Sequence, residues 1–519
     1  MIEGKQSNRR AVLCAALAVA AVATVGAAPA DVGSRLQVLW DDFIVDTNLT
    51  TAPRLVHQPE YVGVAITHDA PWEGDGCGYH IIVPDRDERG VLYRMYYRGS
   101  AIGQSVPEEC EYPATGLRLC YAESRDCLTW TKPELGLCAF NGSKKNNILI
   151  SANQFGFELD NFFVFKDSRP GCPADELYKG LVGVSGKPTD EHFGLWCFVS
   201  ADGIRWRKGW CITKDGEFDS LNTAFWDDVR QEYHCYFRHH HVLSEEDRHG
   251  NVHVRDIRHF VSKDFHEWTE PKLISFGEGA EDYPLYTNHV QPYSRTPGLY
   301  VGLPTRYVYR MKWTDTFDRL PGLANRRHRS QKNPRYGLAI TDCAFMVTRD
   351  GLNFHREDDA FLDGGPEHPQ SWVYGDGYLA YGLVTVPGRR PGTDPELAIF
   401  SGEGPWSGKP LKLLRYALRQ DGFVSRHAPY AGARLVTRPF TFSGSELAMN
   451  FRTSARGGVI VTLREADGGR AIRSDEIVGN KIDRVVGFKD GKAADFAGKE
   501  VVLEFDMRDA DLYAFQFVK

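Results

Sequence analysis

Three features of the 519-residue sequence predict an all-β chain, a five-bladed β-propeller followed by a C-terminal β-sandwich. Glycine and aromatic residues are abundant, with 51 Gly, 23 Tyr and 11 Trp, and few stretches have helical period. A short hairpin motif recurs four times. Beyond about residue 428 the motif stops and plain alternating strands follow.

The motif reads "SRDCLTW" (124–130), "SADGIRW" (200–206), "SKDFHEW" (262–268) and "TRDGLNF" (348–354). Each copy follows an alternating apolar run and is expected to be a tight Asp/Gly turn closed by an aromatic on the return strand. The aspartates at 126, 202, 264 and 350 are 76, 62 and 86 residues apart, room for four short strands per repeat. A first strand precedes each hairpin: "YHIIVPD" (79–85), "NFFVFKD" (161–167), "NTAFWDD" (222–228) and "LYTNHVQPY" (285–293). "GYLAYGLVTV" (377–386) begins a fifth blade that lacks the hairpin. The strand-like "LQVLWDDFIVD" (36–46) is expected either to close the ring against the last blade or to pack on the second domain. From about Ala428, "RLVTRPFTF", "ELAMNFRT", "GVIVTLREA", "VVLEFDM" and "LYAFQFV" read as a sandwich.

Residues 1–30 have a basic start (Lys5, Arg9, Arg10), an apolar stretch from Ala11 to Ala28 and a small-residue end. This pattern is an export signal, Sec-type or twin-arginine, and implies a periplasmic or secreted protein. The expected domains are therefore a leader at 1–30, the propeller at 31–427 and the sandwich at 428–519. The formal net charge of -7 becomes -9 without the leader, which carries three basic and one acidic side chains. An acidic balance argues against nucleic acid or an anionic membrane as partner, and no later apolar run is long enough to span a bilayer. Ten of the eleven cysteines lie beyond the leader, without a C-x-x-C pair. Cys197 and Cys211, flanking one hairpin, are the first candidates for a disulfide.

In a propeller, residues just ahead of each innermost strand converge at the mouth of a central funnel. An acid stands there in every blade: Glu73 and Asp75 beside Trp72 in "PWEGDGCGYHIIVPD", Asp160 in "ELDNFFVF", Glu217 and Asp219 in "EFDSLNTAFWD", Glu281 and Asp282 in "EDYPLY", and Glu367 near Trp372 in "PEHPQSW". Clustered carboxylates repel, so one is held protonated as a general acid while another stays ionised. Such a pair about 5 to 9.5 Å apart, with aromatic platforms for sugar faces, is what glycoside hydrolysis uses. Glu73, Asp75, Asp160, Asp219 and Glu217 are the catalytic candidates. Trp72, Arg238, Asp282, Arg306, Glu367 and Trp372 are the substrate-binding candidates. The histidines of "FRHHH" (237–241) are read as a polar hairpin rather than a metal site, and no cofactor motif is found.

Here the sequence resembles the five-bladed propeller glycoside hydrolases, most closely family 32, with families 43 and 130 also similar, over roughly residues 60–425 and the sandwich. The resemblance implies a nucleophile or base from "WEGD" (Glu73 or Asp75), a stabilising acid from "LDNFFVF" (Asp160) and a general acid from "DSLNTAF" (Asp219). The family-32 string W-M-N-D-P-N-G is absent, "LDNF" stands where R-D-P is expected, and Asp219-Ser220 replaces the Glu-Cys pair, leaving Glu217 as a rival acid. The expected function is an exported glycosidase acting on an oligo- or polysaccharide. The alternatives are a non-catalytic carbohydrate-binding propeller and, ranked lower, a sialidase.

Overall fold

The computed structural model describes residues 29–519 apart from 102, 113 and 247–251, so the export signal read at 1–30 lies almost wholly outside the described residues. Five antiparallel sheets form the blades. Blade one comprises Gly78–Asp87, Gly90–Ala101, Thr115–Ser124 and Ile148–Ile150; blade two Phe163–Lys166, Tyr178–Val184, Gly194–Ser200 and Arg207–Thr213. Blade three comprises Thr223–Asp227, Glu232–Val242, His253–Ser262 and Lys272–Leu273. Blade four runs through Gln291–Pro292, Tyr300–Gly302, Ala339–Thr348 and Phe354–Leu362, with Thr305–Tyr309 paired to the first half of Ala339–Thr348. Each expected first strand is the innermost strand of its blade.

The recurring motif sits at the turn between third and fourth strands and is built identically four times. Ser124, Ser200, Ser262 and Thr348 donate their hydroxyls to the aspartate two residues on. That aspartate accepts two backbone N–H groups, from the residues two and three further along, at 2.7–2.9 Å. A short side chain that replaces backbone partners inside its own turn is why Asp occupies the position.

The ring is closed by a segment other than 36–46. Blade five comprises Val384–Val386, Glu396–Glu403 and Leu411–Arg419, and its outermost strand is Glu60–His68 from before blade one. The 36–46 segment takes its other expected course: Gln37–Val38 pairs with Val501–Val518 of the C-terminal sheet, and Trp40 is fully buried, edge-on to Tyr293, Phe345 and Phe423.

The C-terminal β domain is a continuous ten-stranded sheet around Glu446–Glu465 and Val501–Val518, with a separate core that includes Phe440, Phe451, Phe505, Phe515 and Phe517. It also draws in Ala30–Gly33, Gln37–Val38, Arg54–Val56 and Val424–Ala428, so the boundary at 427/428 is corrected. These short strands have no blade to join and instead cover otherwise open edges. Buried Asp421 ties the two bodies together. It accepts from Tyr293 (2.6 Å), Arg295 (2.9 Å) and Asn450 (2.8 Å), while its carbonyl accepts from the Trp40 indole (3.0 Å).

Among the described residues all ten cysteines are free, which overturns the Cys197–Cys211 bridge. Cys211 lies directly opposite Trp196, so Cys197, one residue on, projects from the other face of the sheet.

Between Tyr309 and Ala339 blade four carries an insertion with two helices, α1 (Leu323–Lys332) and α2 (Pro334–Leu338). Pro334 cannot continue α1 and forces Asn333 to an extended φ of -155°. The Asn333 side chain then caps α2 by accepting from the Arg335 N–H at 3.2 Å.

Candidate functional site

The blade heads enclose a funnel of about 970 Å³, including its open mouth. Asp160 of blade two and Asp219 of blade three both line it, with Tyr79, His80 and Arg98 of blade one. Tyr286 enters ahead of blade four, and Tyr374 and Tyr378 ahead of blade five. Trp406 comes from a blade-five turn, and Arg335 and Tyr336 come from α2.

Arg98 organises one wall. Its Nη1 donates to Asp160 Oδ1 at 2.8 Å and to Asn161 Oδ1 at 3.0 Å, its Nε and Nη2 reach the Gly76 carbonyl, and its guanidinium lies 4.8 Å from the Tyr79 ring centroid. Tyr79, at the start of its inner strand, and Asn161, just ahead of its own, have positive φ (51° and 55°), local strain of the kind that binding sites hold in place.

Asp219 stands opposite with weaker company: Tyr286 Oη at 3.5 Å and Arg238 Nη2 at 3.7 Å. It is solvent-reachable through the mouth yet surrounded by protein. Burial raises its pKa above the usual carboxylate range; Arg238 opposes this and the nearby Asp160 carboxylate adds to it. Desolvation and a neighbouring anion both push a carboxyl toward its protonated form.

The blade-one acids do not face the funnel. Glu73 is fully buried and accepts from Tyr97 Oη (2.5 Å), Lys132 Nζ (2.7 Å), the Ala70 N–H (2.8 Å) and His68 Nδ1 (3.3 Å). Burial alone would raise its pKa, but His68 and Lys132 overcome that and hold it at about 2. Its link to the site is indirect: His68 Nε2 lies 2.9 Å from His80 Nε2, and His80 lines the funnel wall. Asp75, also buried, staples a neighbouring turn. Its Oδ2 accepts from the Gly408 N–H (3.0 Å) and its carbonyl from the Trp406 N–H (2.9 Å), so it positions Trp406. Burial raises its pKa. The glycines of "WEGDGCG" serve close approach rather than aim an acid inward. A Cβ at Gly74, where φ is +72°, would lie 2.3 Å from the Ser100 carbonyl oxygen, and one at Gly76 would lie 2.7 Å from Ser100 Oγ.

The other candidates are placed as follows. Glu217 is exposed, and its carbonyl holds Arg238 Nε at 2.7 Å. Arg238 therefore stands behind Asp219 rather than in the funnel lining. Trp72 donates to Asn147 Oδ1 (2.6 Å) and packs edge-on to Phe140, and Trp372 donates to the Gly365 carbonyl (2.7 Å). Both indoles are occupied by protein outside the funnel. Arg306 pairs with Asp342 (2.5 Å), and Glu367 is exposed away from the lining. Asp282 lines a different cleft, where it accepts from His241 (2.7 Å), itself also held by Asp256 (2.9 Å). Among the described residues no group of three or more His, Cys, Asp or Glu is arranged to hold a metal ion, and no helix is long and apolar enough to cross a membrane.

Residue-level reading missed Arg98 and the aromatic wall. Arg98 lies mid-strand, and Tyr336 lies in an insertion with no repeat to flag it. Tyr374 and Tyr378 had a usable signal, an aromatic cluster about the head of the fifth inner strand.

No family model and no curated protein matches this sequence. Solved structures similar to the chain include an N-acetylgalactosamine deacetylase from F. plautii in complex with blood group B trisaccharide, 13% identical over 70% of this chain and 94% of that one, with a TM-score of 0.41. A GH32 beta-fructofuranosidase from Bombyx mori is 9% identical over 90% and 94% of the two chains, TM-score 0.37. An exo-beta-1,3-galactanase from Phanerochaete chrysosporium is 11% identical over 89% and 99%, TM-score 0.33.

Proposed function

We propose that this protein is an exported glycoside hydrolase acting on an oligo- or polysaccharide. The observation that carries the reading is the meeting of Asp160 and Asp219, from adjacent blades, in one funnel walled by tyrosines and a tryptophan. Asp219, whose pKa is raised, is the general acid that protonates the leaving oxygen. Asp160, fixed by Arg98, is the partner carboxylate that acts as base or nucleophile. The aromatic faces hold the apolar faces of the sugar rings.

The test is a glycan panel with reducing-end detection. Wild type is expected to release reducing ends from at least one glycan, and Asp160→Asn and Asp219→Asn to abolish release while melting temperature is unchanged. The Arg98–Asp160 ion pair at 2.8 Å favours a second reading, a propeller that binds carbohydrate without turnover. Glycan binding by the wild type without any release would establish that reading instead.

A further inference from the structure

Among the described residues, one guanidinium of the funnel has no carboxylate of its own. Arg98 is matched by Asp160 at 2.8 Å, and Arg238 faces Asp219 at 3.7 Å, so two guanidiniums answer the two carboxylates. A third, Arg335, lines the same funnel with no carboxylate partner among the described residues. Its side-chain contacts are the Tyr336 hydroxyl, 3.3 Å from Nη2, and the Tyr336 ring, 4.9 Å from the guanidinium carbon. Its Nε is buried without a hydrogen-bond partner, as is the Oε1 of funnel-lining Gln104. Burying an unpaired guanidinium nitrogen is costly unless a ligand completes it.

Arg335 is also held in place. Asn333 caps the turn that carries it, Pro334 fixes the preceding backbone, and the ring of Tyr336 supports the planar group. Beside it are three aromatic side chains, with Tyr374 4.9 Å from Trp406, Tyr336 6.2 Å from Trp406 and Tyr336 6.1 Å from Tyr374, centroid to centroid. A guanidinium fork next to a ring platform matches a sugar that carries a planar carboxylate, because the fork donates two parallel N–H bonds to the two oxygens while the ring face stacks.

We infer that the funnel selects an acidic sugar, a uronic acid residue whose carboxylate is bound by Arg335. This rests on the carbohydrate reading above and adds the substrate class to it. The experiment is a ligand-observed NMR titration of the full chain with glucuronic and galacturonic acid, glucose and galactose, and glucose 6-sulfate. In the wild type the uronates are expected to bind at least about tenfold more tightly than the matching neutral sugars, the worth of one charge-assisted contact. Arg335→Gln is expected to bring that ratio close to one, with folding checked by melting temperature. If Arg335→Gln does not fold, Arg335→Lys decides: it keeps the charge, removes the fork and is expected to lose most of the discrimination. A wild-type ratio near one, a ratio unchanged in the folded variant, or a preference for the sulfated sugar would overturn the assignment and leave the carbohydrate reading standing. Failure of every sugar to bind would overturn both.

Discussion

Arg98 is hydrogen-bonded to Asp160 at 2.8 Å, whereas Asp219, in the same funnel, has its nearest guanidinium, that of Arg238, at 3.7 Å. On the proposed reading this asymmetry divides the work of the two carboxylates, with Asp160 as base or nucleophile and Asp219 as general acid.

A pH profile tests that division. As the proposed general acid Asp219 must carry its proton, so turnover is expected to fall as pH rises through its raised pKa. Arg238 opposes that rise, so Arg238→Gln is expected to move the alkaline limb to higher pH. Asp219→Asn is expected to lower turnover about 100-fold or more. An alkaline limb that stays put in Arg238→Gln would show that another group donates the proton.

Glu73 is expected to matter to stability at every pH above its own titration. Its folded pKa, about 2, lies below the ordinary 4.5, so the folded state binds fewer protons than the unfolded chain between those values. Its contribution is therefore present above pH 4.5 and lost as pH falls towards 2. Glu73→Gln leaves Lys132 and His68 without their anion, and denaturant unfolding at neutral pH is expected to show a loss of about 3–5 kcal/mol. It should also show a flatter acid limb. An unchanged midpoint would mean that the buried charges are better solvated than their contacts indicate.

Among the tryptophans, Trp406 is expected to bind sugar and Trp72 to hold the fold. Trp406→Ala should weaken glycan binding about tenfold, whereas Trp72→Ala should lower stability by about 3 kcal/mol, through its lost packing and its bond to Asn147. Paired titrations and melting curves separate the two, and a larger binding loss in Trp72→Ala would reverse the assignment.

Asp421→Ala is expected to cost about 3–5 kcal/mol, because it strands Arg295 and the Tyr293 hydroxyl at the seam between propeller and C-terminal sheet. Asp421→Asn, which keeps the shape but not the charge, should cost less. Equal effects would place the contribution in packing rather than in the ion pair.

The architecture was legible because it repeats: an aspartate that must bond its own turn at 126, 202, 264 and 350 leaves a local signature. Asp160 and Asp219 were legible for the same reason, standing at equivalent places ahead of inner strands. Glu73 and Trp72 were misread because nearness in sequence to such a place does not give direction. The glycines that seemed to free the loop press it against Ser100 and turn its carboxylates into the wall. Arg335 was illegible because the insertion that carries it has no counterpart in the other blades. The final strand of the ring was missed because Glu60–His68 finds its partner at the far end of the propeller.

That last strand has a consequence for synthesis. On the ribosome, Glu60–His68 emerges before any other blade strand, yet its partner Leu411–Arg419 emerges last of all the blade strands. The nascent chain must therefore carry an open arc with an unpaired segment until translation is nearly finished. His68, which bridges Glu73 to His80, is the last residue of that segment, so the funnel wall reaches its final order only when the circle latches. A circular permutant with new termini just before Glu60 would still need this long-range meeting, whereas one that begins after His68 and appends 60–68 beyond Arg419 would turn it into a local hairpin.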